Sequence, residues 1–281
     1  MAYDSFGNTV KRGFLNMPST LRVLIAINTA VFLFQWLFVP FLGDFLGLFF
    51  RYDASFPNFL IQPWRLITYT FLHAGLFHFL FNMLWLWWMG RPVEERIGSR
   101  SFLVLYLGSG IAGALFDSVL SLFSPVSYVI GASGAVFGIM VAFAMLFPRM
   151  PITLFLLPPI EARYVVAGLI AIEILFLNDG SNIARLVHLG GALGGYLLMR
   201  IHLQGKDLSM PIRYLEHLFR GIKPKSKKRT VTHMRSVSDA DVVEEVDQSE
   251  LDEILEKISK KGYDGLTAEE KRKLFELSKK K

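Results

Sequence analysis

Long apolar blocks between residues 20 and 205 constrain this chain more than any other feature of its sequence. Several of these blocks run for roughly 18 to 22 residues, a length of helix that crosses about 30 Å of hydrocarbon. Charged residues make up only 19% of the chain, and most of them fall in its last third. The sequence therefore predicts a multi-pass, all-α membrane protein.

Six membrane spans are predicted from the positions of these blocks. They run approximately from Leu21 to Phe41, Phe71 to Met89, Phe102 to Leu122, Tyr128 to Phe147, Tyr164 to Leu177 and Ile183 to Leu203. A further apolar stretch before the fifth span contains Pro158 and Pro159, which favour a connecting segment over a seventh span. Residues 21–205 are thus predicted to form a six-helix bundle, preceded by a short segment at residues 1–20.

Basic residues in the connections predict the orientation of the bundle, because cytoplasmic loops of membrane proteins carry an excess of Lys and Arg. They concentrate before the first span, after the second and fourth spans, and at the start of the C-terminal region. Examples are Lys11, Arg12, Arg22, Arg91, Arg96, Arg100, Arg149 and Arg163. We therefore expect both termini in the cytoplasm, with spans two, four and six each entering the membrane from outside.

The chain changes character after residue 205. Residues 206–248 are predicted to be a juxtamembrane basic segment and linker. Within it, residues 208–222 mix apolar and basic side chains, a composition suited to the cytoplasmic membrane surface. The run KPKSKKR at residues 223–229 suits anionic lipid headgroups, although an ordinary positive-inside signal explains it equally well.

Residues 249–281 are predicted to form a helical hairpin. Ser249 with Asp252, and Thr267 with Glu270, each match the spacing of a helix-capping signature. The sequence does not indicate which cytoplasmic partner such a hairpin would bind.

Four polar side chains are predicted to share one depth on the outer side of the membrane. His78 and Asn82 lie four residues apart on one face of span two. Ser133 and His188 each fall about five residues after the predicted starts of spans four and six. Polar groups at membrane depth usually mark function, so the four side chains predict one site.

The groups predicted at this site are sufficient for acyl transfer. A serine hydroxyl is a weak nucleophile until a base removes its proton, which a histidine can do near neutral pH. His78, Asn82 and the backbone N–H of Ser133 can donate hydrogen bonds to a developing oxyanion. No Asp or Glu is expected at this depth to orient His188, so we predict a Ser–His dyad rather than a triad.

Glycine spacing favours a close approach between spans four and six. Gly134 and Gly138 are four residues apart, and the same spacing recurs in GGALGG at residues 190–195. Small residues at this spacing let helix backbones approach each other closely. Taken alone, Ser133 is better explained as one of these packing residues, and its catalytic interpretation depends on His188.

Two other functions are less well supported by the sequence. A metal site would need more than His73 and His78, whose spacing of five places them poorly on one helix face, and the chain contains no cysteine. A transporter could use Glu173 in span five to line an ion path, but a single acidic residue is weak support. We therefore predict neither a metal nor a cofactor.

At these residues the sequence resembles the rhomboid family of intramembrane serine proteases, over about residues 20 to 205. The matching stretches are PWRLITYTFLHAGLFHFLFNMLWLW (63–87), GRPVEERIGS (90–99), GASGAVFG (131–138) and HLGGALGG (188–195). The resemblance implies that Ser133 is the nucleophile, that His188 is the base, and that His78 and Asn82 help to form the oxyanion hole. It implies structural or motif roles for Trp64, Arg65, His73, Glu94, Gly131, Gly134, Gly191 and Gly195.

Phe137 stands where some members of that family have a tyrosine beneath the histidine, so we expect ring stacking to be kept. Because Ser133 and His188 are both present, the resemblance implies an active endopeptidase that cleaves transmembrane segments of other membrane proteins. The alternative is a non-catalytic relative that binds client helices. Expected partners are transmembrane proteins and membrane lipids but not nucleic acid, and the expected location is a bacterial inner membrane.

Overall fold

The computed structural model describes residues 13–42, 45–53, 58–121, 128–153, 158–177 and 185–220, and residues 254, 256–258, 260, 265–267 and 269–271 of the C-terminal region. The chain separates into two compact units, residues 1–222 and residues 223–281. Lys11, Arg12, the basic run at 223–229 and the Ser249–Asp252 cap lie outside the described residues. What the sequence predicts for them stays a prediction.

Helices make up most of the described first unit. They include α1 (Ser19–Leu42), α2 (Phe45–Phe50), α3 (Asn58–Ile61), α4 (Arg65–Thr68), α5 (Leu76–Ile97), α6 (Ser99–Ser121), α7 (Ser133–Leu146), α8 (Ala162–Leu175), α9 (Arg185–Leu203) and α10 (Met210–Arg220), with a 3₁₀ turn at Tyr69–Phe71. Two short antiparallel strand pairs, which the sequence did not predict, complete the unit. They are β1 (Tyr52–Asp53) with β2 (Tyr128–Val129), and β3 (Pro151–Ile152) with β4 (Ile160–Glu161).

The surface of the helical bundle is that of a protein immersed in lipid. Trp36, Phe77 and Leu175 are 70%, 75% and 78% exposed, whereas water-soluble proteins rarely leave large contiguous apolar patches uncovered. In the described part of the chain, α1 and α6 are long and apolar enough to cross a membrane. The α4 segment with its 3₁₀ turn, together with α5, forms a third candidate that is bent by 100°. The chain is therefore an integral membrane protein.

Two of the predicted spans begin later as helices than the apolar pattern indicated. Helix α5 begins at Leu76 rather than Phe71, because the chain bends by 100° between the 3₁₀ turn and α5. Helix α7 begins at Ser133, because Tyr128 and Val129 pair with β1 instead of joining the helix. With 14 residues, α7 is about 21 Å long, shorter than the hydrocarbon layer of about 30 Å. Six complete spans stay a prediction.

Glycines bring α7 and α9 into backbone contact. A Cβ atom added at Gly191 would lie 2.0 Å from the carbonyl oxygen of Gly134, and one at Gly195 would lie 2.4 Å from the Cα of Gly138. A Cβ at Gly138 would also lie 2.1 Å from the hydroxyl oxygen of Ser109 on α6. Only glycine permits such distances, so the predicted close approach of spans four and six is confirmed.

Glu94 fastens the beginning of α1 to the junction of α5 and α6. Its carboxylate accepts hydrogen bonds from the backbone N–H of Thr20 at 2.9 Å and of Leu21 at 2.6 Å. It also accepts one from the hydroxyl of Ser99 at 2.6 Å. The first N–H groups of a helix lack partners within it and favour a nearby negative charge. Glu94 therefore ties three helices together at one end of the bundle.

Trp64 and Arg65 hold the end of α2. The indole N–H of Trp64 donates to the carbonyl oxygen of Phe49 at 3.0 Å, and the guanidinium of Arg65 donates to the carbonyl oxygen of Leu48. The last carbonyl groups of a helix have no partner within that helix. These two side chains therefore join α2 to the start of α4.

Candidate active site

Ser133 is the first residue of α7. A glycine two residues earlier allows the backbone to pass close to His78 before the helix begins. Gly131 has a φ angle of 133°, which residues other than glycine rarely adopt. A Cβ atom at this position would also lie 2.6 Å from Cε1 of His78. The prediction that Ser133 lies about five residues inside a helix is therefore wrong. At the helix start, its backbone N–H belongs to the groups without intrahelical partners, so it is suited to donate to an oxyanion.

His188 meets Ser133 from the first turn of α9. Its Nε2 lies 2.7 Å from the hydroxyl oxygen of Ser133, within hydrogen-bond distance. Phe137, one turn further along α7 than Ser133, stacks on the imidazole with ring centroids 4.8 Å apart and planes 10° apart. The hydrogen bond and the stacked ring together fix where the imidazole lies and how its plane is oriented.

His78 and Asn82 of α5 line the same cavity as Ser133 and His188, a cavity of about 540 Å³. The backbone N–H of Ala74 donates a hydrogen bond to Nδ1 of His78 at 3.4 Å, so the neutral ring carries its own hydrogen on Nε2. The amide nitrogen of Asn82 donates to the carbonyl oxygen of His78 at 2.8 Å and has a second hydrogen to donate. The structure thus gathers donors and the Ser133 hydroxyl around one cavity.

His73 lies behind His78. It is buried, and its ring packs against those of His78 and Phe79, each with a centroid distance of 5.3 Å. Its backbone N–H donates to the side-chain oxygen of Gln35 at 3.0 Å, which links it to α1. His73 therefore supports the position of His78 from behind.

Glu173 of α8 lies beside the imidazole of His188, a contact that the sequence did not predict. Its Oε1 is 3.1 Å from Nδ1 of His188, and its Oε2 is 3.4 Å from Nη1 of Arg185. All three side chains are only 10% to 12% exposed. The expectation that no carboxylate lies at the depth of His188 is therefore wrong.

A signal for Glu173 was present in the sequence. In the predicted orientation span five runs outward, so its last turn, not its first, lies at the outer side. Glu173 falls in that last turn of α8, which ends at Leu175, and Arg185 is the first residue of α9. Counting 1.5 Å per residue from the outer end places Glu173 near the level of His188.

The family comparison agrees with the location of this cavity. The Rhomboid domain model matches residues 61–205, just over half of the 281-residue chain. The chain belongs to the rhomboid family. The residues that line the cavity, Ser133 and His188 among them, all fall inside the matched rhomboid segment.

Several curated relatives carry the rhomboid name. The "Putative rhomboid protease YdcA" of Bacillus subtilis is 37% identical over 147 residues, which cover 51% of this chain and 69% of the relative. The "Rhomboid protease GluP" of the same organism is 39% identical over 133 residues, covering 47% and 25%. The "Rhomboid protease GlpG" of Serratia proteamaculans is 30% identical over 188 residues, covering 64% and 61%. The chain thus spans between 25% and 69% of these relatives' own lengths.

The C-terminal region matches a different family. A family of unknown function matches residues 244–280, within the second unit. The rhomboid match ends at residue 205. The match to the rhomboid family therefore concerns only the first unit of the chain.

Proposed function

We propose that this rhomboid is an intramembrane serine endopeptidase in which Ser133 is the nucleophile and His188 is the general base. The observation that supports this best is the distance of 2.7 Å between the Ser133 hydroxyl and Nε2 of His188, beside a cavity in an integral membrane protein. An imidazole at this distance can take the hydroxyl proton as the oxygen attacks.

In the first half of the reaction, Oγ of Ser133 bonds to the scissile carbonyl carbon while His188 takes its proton. The carbonyl oxygen becomes an oxyanion, which accepts hydrogen bonds from His78, Asn82 and the Ser133 amide. His188 then gives the proton to the substrate's amide nitrogen as the C–N bond breaks. The amine product leaves, and the acyl group stays on Ser133 as an ester.

In the second half, a water molecule attacks the ester carbon and His188 takes its proton. The same donors stabilise the second oxyanion, the bond to Oγ breaks, and His188 returns the proton to Ser133. The carboxylic acid product leaves. A cavity of about 540 Å³ has room for this water beside the bound ester.

The substrates that we propose are transmembrane segments of other membrane proteins. Backbone amides within a helix are hydrogen-bonded and shielded, so a substrate helix must unwind locally before its carbonyl can reach Ser133. Ser133 and His188 lie in the first turns of α7 and α9. Because we propose that these helices enter from outside, cleavage falls near the outer end of the substrate.

The proposed topology has six spans within residues 21–205, with both termini in the cytoplasm and the chain in a bacterial inner membrane. Residues 206–248 then follow as a basic segment and linker, and residues 249–281 as a helical hairpin. We propose that the basic segment contacts anionic lipids.

Helix α10 supports a surface position for the start of that segment. It is amphipathic, and Met210 and Tyr214 are each 66% exposed. Arg100 of α6 holds Glu216 through two hydrogen bonds of 3.0 Å. A helix of this kind lies among lipid headgroups with its apolar face toward the acyl chains. A fluorophore at position 214 should be quenched by lipids brominated near the headgroup, and an unquenched probe would contradict this position.

The central proposal is tested with Ser133→Ala and His188→Ala in proteoliposomes that contain a reporter transmembrane substrate. Each variant should lower the cleavage rate by at least about 10⁴-fold. A fluorophosphonate should label the wild type and the control variant Ser209→Ala, but not Ser133→Ala. Cleavage by folded Ser133→Ala would contradict the assignment of Ser133 as the nucleophile. A folded wild type that binds the reporter, yet is neither labelled nor cleaves it, would favour a non-catalytic rhomboid that binds client helices.

A further inference from the structure

A carboxylate faces the nitrogen of His188 that Ser133 does not use. Nε2 of His188 lies 2.7 Å from the Ser133 hydroxyl, and Nδ1 lies 3.1 Å from Oε1 of Glu173. The hydroxyl, the imidazole and the carboxylate therefore follow one another across α7, α9 and α8. The two ring nitrogens have different neighbours, each of a different chemical kind.

The position of the ring hydrogen decides whether His188 can act as a base. Nε2 can take a proton from Ser133 only while the neutral ring carries its hydrogen on Nδ1. Stacking on Phe137 fixes the plane of the ring but does not distinguish between its two nitrogens. A carboxylate beside Nδ1 favours the required tautomer and stabilises the positive imidazolium that forms after proton transfer.

The contact between Glu173 and His188 is at ion-pair distance, but within the described structure it is not aligned as a hydrogen bond. Catalytic hydrogen bonds are often long or poorly aligned before substrate binds, and they tighten in the complex. Rotation of the Glu173 carboxylate about its last bond changes this alignment without moving α8. The distance is therefore the informative quantity here.

Arg185 supplies the charge that lets a carboxylate stay ionised in this place. Its Nη1 lies 3.4 Å from Oε2 of Glu173, and both side chains are nearly buried, at 10% and 12% exposed. An uncompensated charge within a membrane domain is costly, and ionisable groups there usually pair with one another. Arg185 precedes His188 by three residues, so both project from one face of α9. Helix α9 thus carries both His188 and Arg185, and Arg185 holds the carboxylate of Glu173 beside His188.

We propose that Glu173 is a positioning residue that keeps the hydrogen of His188 on Nδ1, and that Arg185 holds Glu173 in place. This inference rests on the proposed role of His188 as the general base. It adds Glu173, as a third group that orients the imidazole, to the expected pair of Ser133 and His188. Glu173 does not touch the reacting atoms and acts only through His188.

Three variants separate the charge of Glu173 from its shape and from a general effect of losing an acid. Glu173→Gln keeps the shape and removes the charge, and Glu173→Asp keeps the charge on a shorter side chain. Glu161→Gln is the control, because Glu161 is 39% exposed and pairs with Arg163 just before α8 begins. Each variant is purified as the full chain, checked for folding by thermal unfolding, and compared with the wild type in proteoliposomes.

Glu173→Gln should lower kcat for the reporter substrate by about tenfold to a hundredfold, part of the 10²–10⁴ that general base catalysis supplies. KM should change by less than about twofold, because the substrate does not touch Glu173. Fluorophosphonate labelling of Ser133 should slow by the same factor as kcat. Glu173→Asp should retain an intermediate rate, and Glu161→Gln should match the wild type.

The pH profile adds a readout that a merely structural role would not move. In Glu173→Gln the imidazolium that forms during proton transfer loses its negative neighbour, so the pH dependence of kcat/KM should differ from that of the wild type. Among the described residues, the other ionisable groups near His188 are Arg185 on its own helix, and His78 on α5 and Tyr128 on β2, which line the same cavity. All three are unchanged in this variant, so the difference is attributable to Glu173.

Nitrogen NMR of histidine-labelled protein reads the ring directly, whether or not the protein cleaves anything. The His188 signals are identified by their loss in His188→Gln. Wild type should show hydrogen on Nδ1, and Glu173→Gln should shift the population toward hydrogen on Nε2. Should Glu173→Gln not fold, Glu173→Asp carries the same comparison, because its shorter side chain withdraws the carboxylate from Nδ1.

The two proposals fail in distinguishable ways. Unchanged rates, pH profile and His188 signals in folded Glu173→Gln would overturn the role of Glu173 and leave Ser133 with His188 alone. A folded wild type that neither labels nor cleaves would overturn the proposed function instead. Even then, the His188 signals decide whether Glu173 holds the ring.

Discussion

Two buried glutamates, Glu94 and Glu173, show how differently this protein treats the same side chain. Glu94 is 2% exposed and accepts three hydrogen bonds of 2.6 to 2.9 Å. Glu173 is 9% exposed when its backbone is included, and its contacts to His188 and Arg185 are longer, at 3.1 and 3.4 Å. Burial is similar, but the number, length and kind of contacts differ.

These contacts suit Glu94 to a structural role, and they suit Glu173 to interact with a side chain whose charge changes during the proposed reaction. The donors to Glu94 are two backbone N–H groups and a hydroxyl, none of which changes charge. The neighbours of Glu173 are two cationic or titratable side chains, and one of them gains a proton during the proposed reaction. Fully satisfied buried polar groups rigidify a core, whereas a loosely held acid beside a histidine marks a candidate functional site.

The strongest test of this comparison is Glu94→Gln. This change removes a charged acceptor and places amide hydrogens against donors, so it should lower the free energy of unfolding by about 3 kcal/mol. Cleavage per folded molecule should stay the same, opposite to Glu173→Gln. Denaturant titration in detergent measures the first quantity, and reporter cleavage measures the second. The control is Glu95→Gln, whose exposed pair with Arg91 at 3.0 Å is worth less than about 1 kcal/mol.

A second test alters the spacing of α7 and α9, the helices that carry Ser133 and His188. Gly191→Ala places a Cβ against the backbone of Gly134, and overpacking of this kind typically costs about 1 to 3 kcal/mol. Ser133 adjoins Gly134, so cleavage should fall together with stability. Gly168→Ala on α8 is the control, since a Cβ there meets nothing within 4 Å in the described structure. Equal stability of the two variants would contradict the close approach of α7 and α9.

A third test removes the ring beneath His188 and leaves both glutamates in place. Phe137→Leu should lower kcat by roughly twofold to tenfold, the equivalent of the 0.5 to 1.5 kcal/mol that an aromatic pair supplies. Phe137→Tyr keeps the stack and should match the wild type. Equal steady-state rates for all three proteins would show that Glu173 and Ser133 suffice to hold the imidazole.

The smallest effect is expected at a third glutamate, Glu270 in the second unit. A hydrogen bond from Lys257 at 2.6 Å, followed by one from the Thr267 amide at 2.8 Å, lowers the pKa of Glu270 from 4.5 to about 2. A depressed pKa stabilises the folded form above pH 4.5, and this stabilisation is lost as the pH falls toward 2. The Thr267 amide signal in NMR spectra of the full chain should move over that window. If the Thr267 signal moves in the same way in Glu270→Gln, the hydrogen bond from the Thr267 N–H to Glu270 is contradicted.

The sequence predicted where helices exist better than where they begin. Helices α1 and α6 match their predicted spans within about three residues, because a lipid environment demands long apolar runs. The start of α7 depends instead on pairing between Tyr52 and Val129, far apart in the sequence. It also depends on the φ angle of Gly131. Neither feature leaves a local apolar pattern.

The polar residues of the site were predictable to the extent that depth could be counted. His78, Asn82, Ser133 and His188 were grouped by counting from the outer ends of three spans, and they line one cavity. Glu173 was not included because span five runs outward, so the depth of its residues must be counted from the end of the span and not from its start. Its pairing with Arg185 could not be foreseen, because it depends on how α8 and α9 pack.

The shortness of α7 has a consequence for where the proposed cleavage falls. In the proposed orientation, with its far end at the inner edge of the hydrocarbon, a helix of 14 residues leaves Ser133 about 9 Å below the outer edge. In that arrangement we expect water to reach Ser133 from outside through the cavity that this residue lines. The thickness of the bilayer then sets the depth of Ser133, and with it the position of the proposed cleavage. In a thicker membrane Ser133 lies deeper, and the proposed cut should move along the substrate toward its centre.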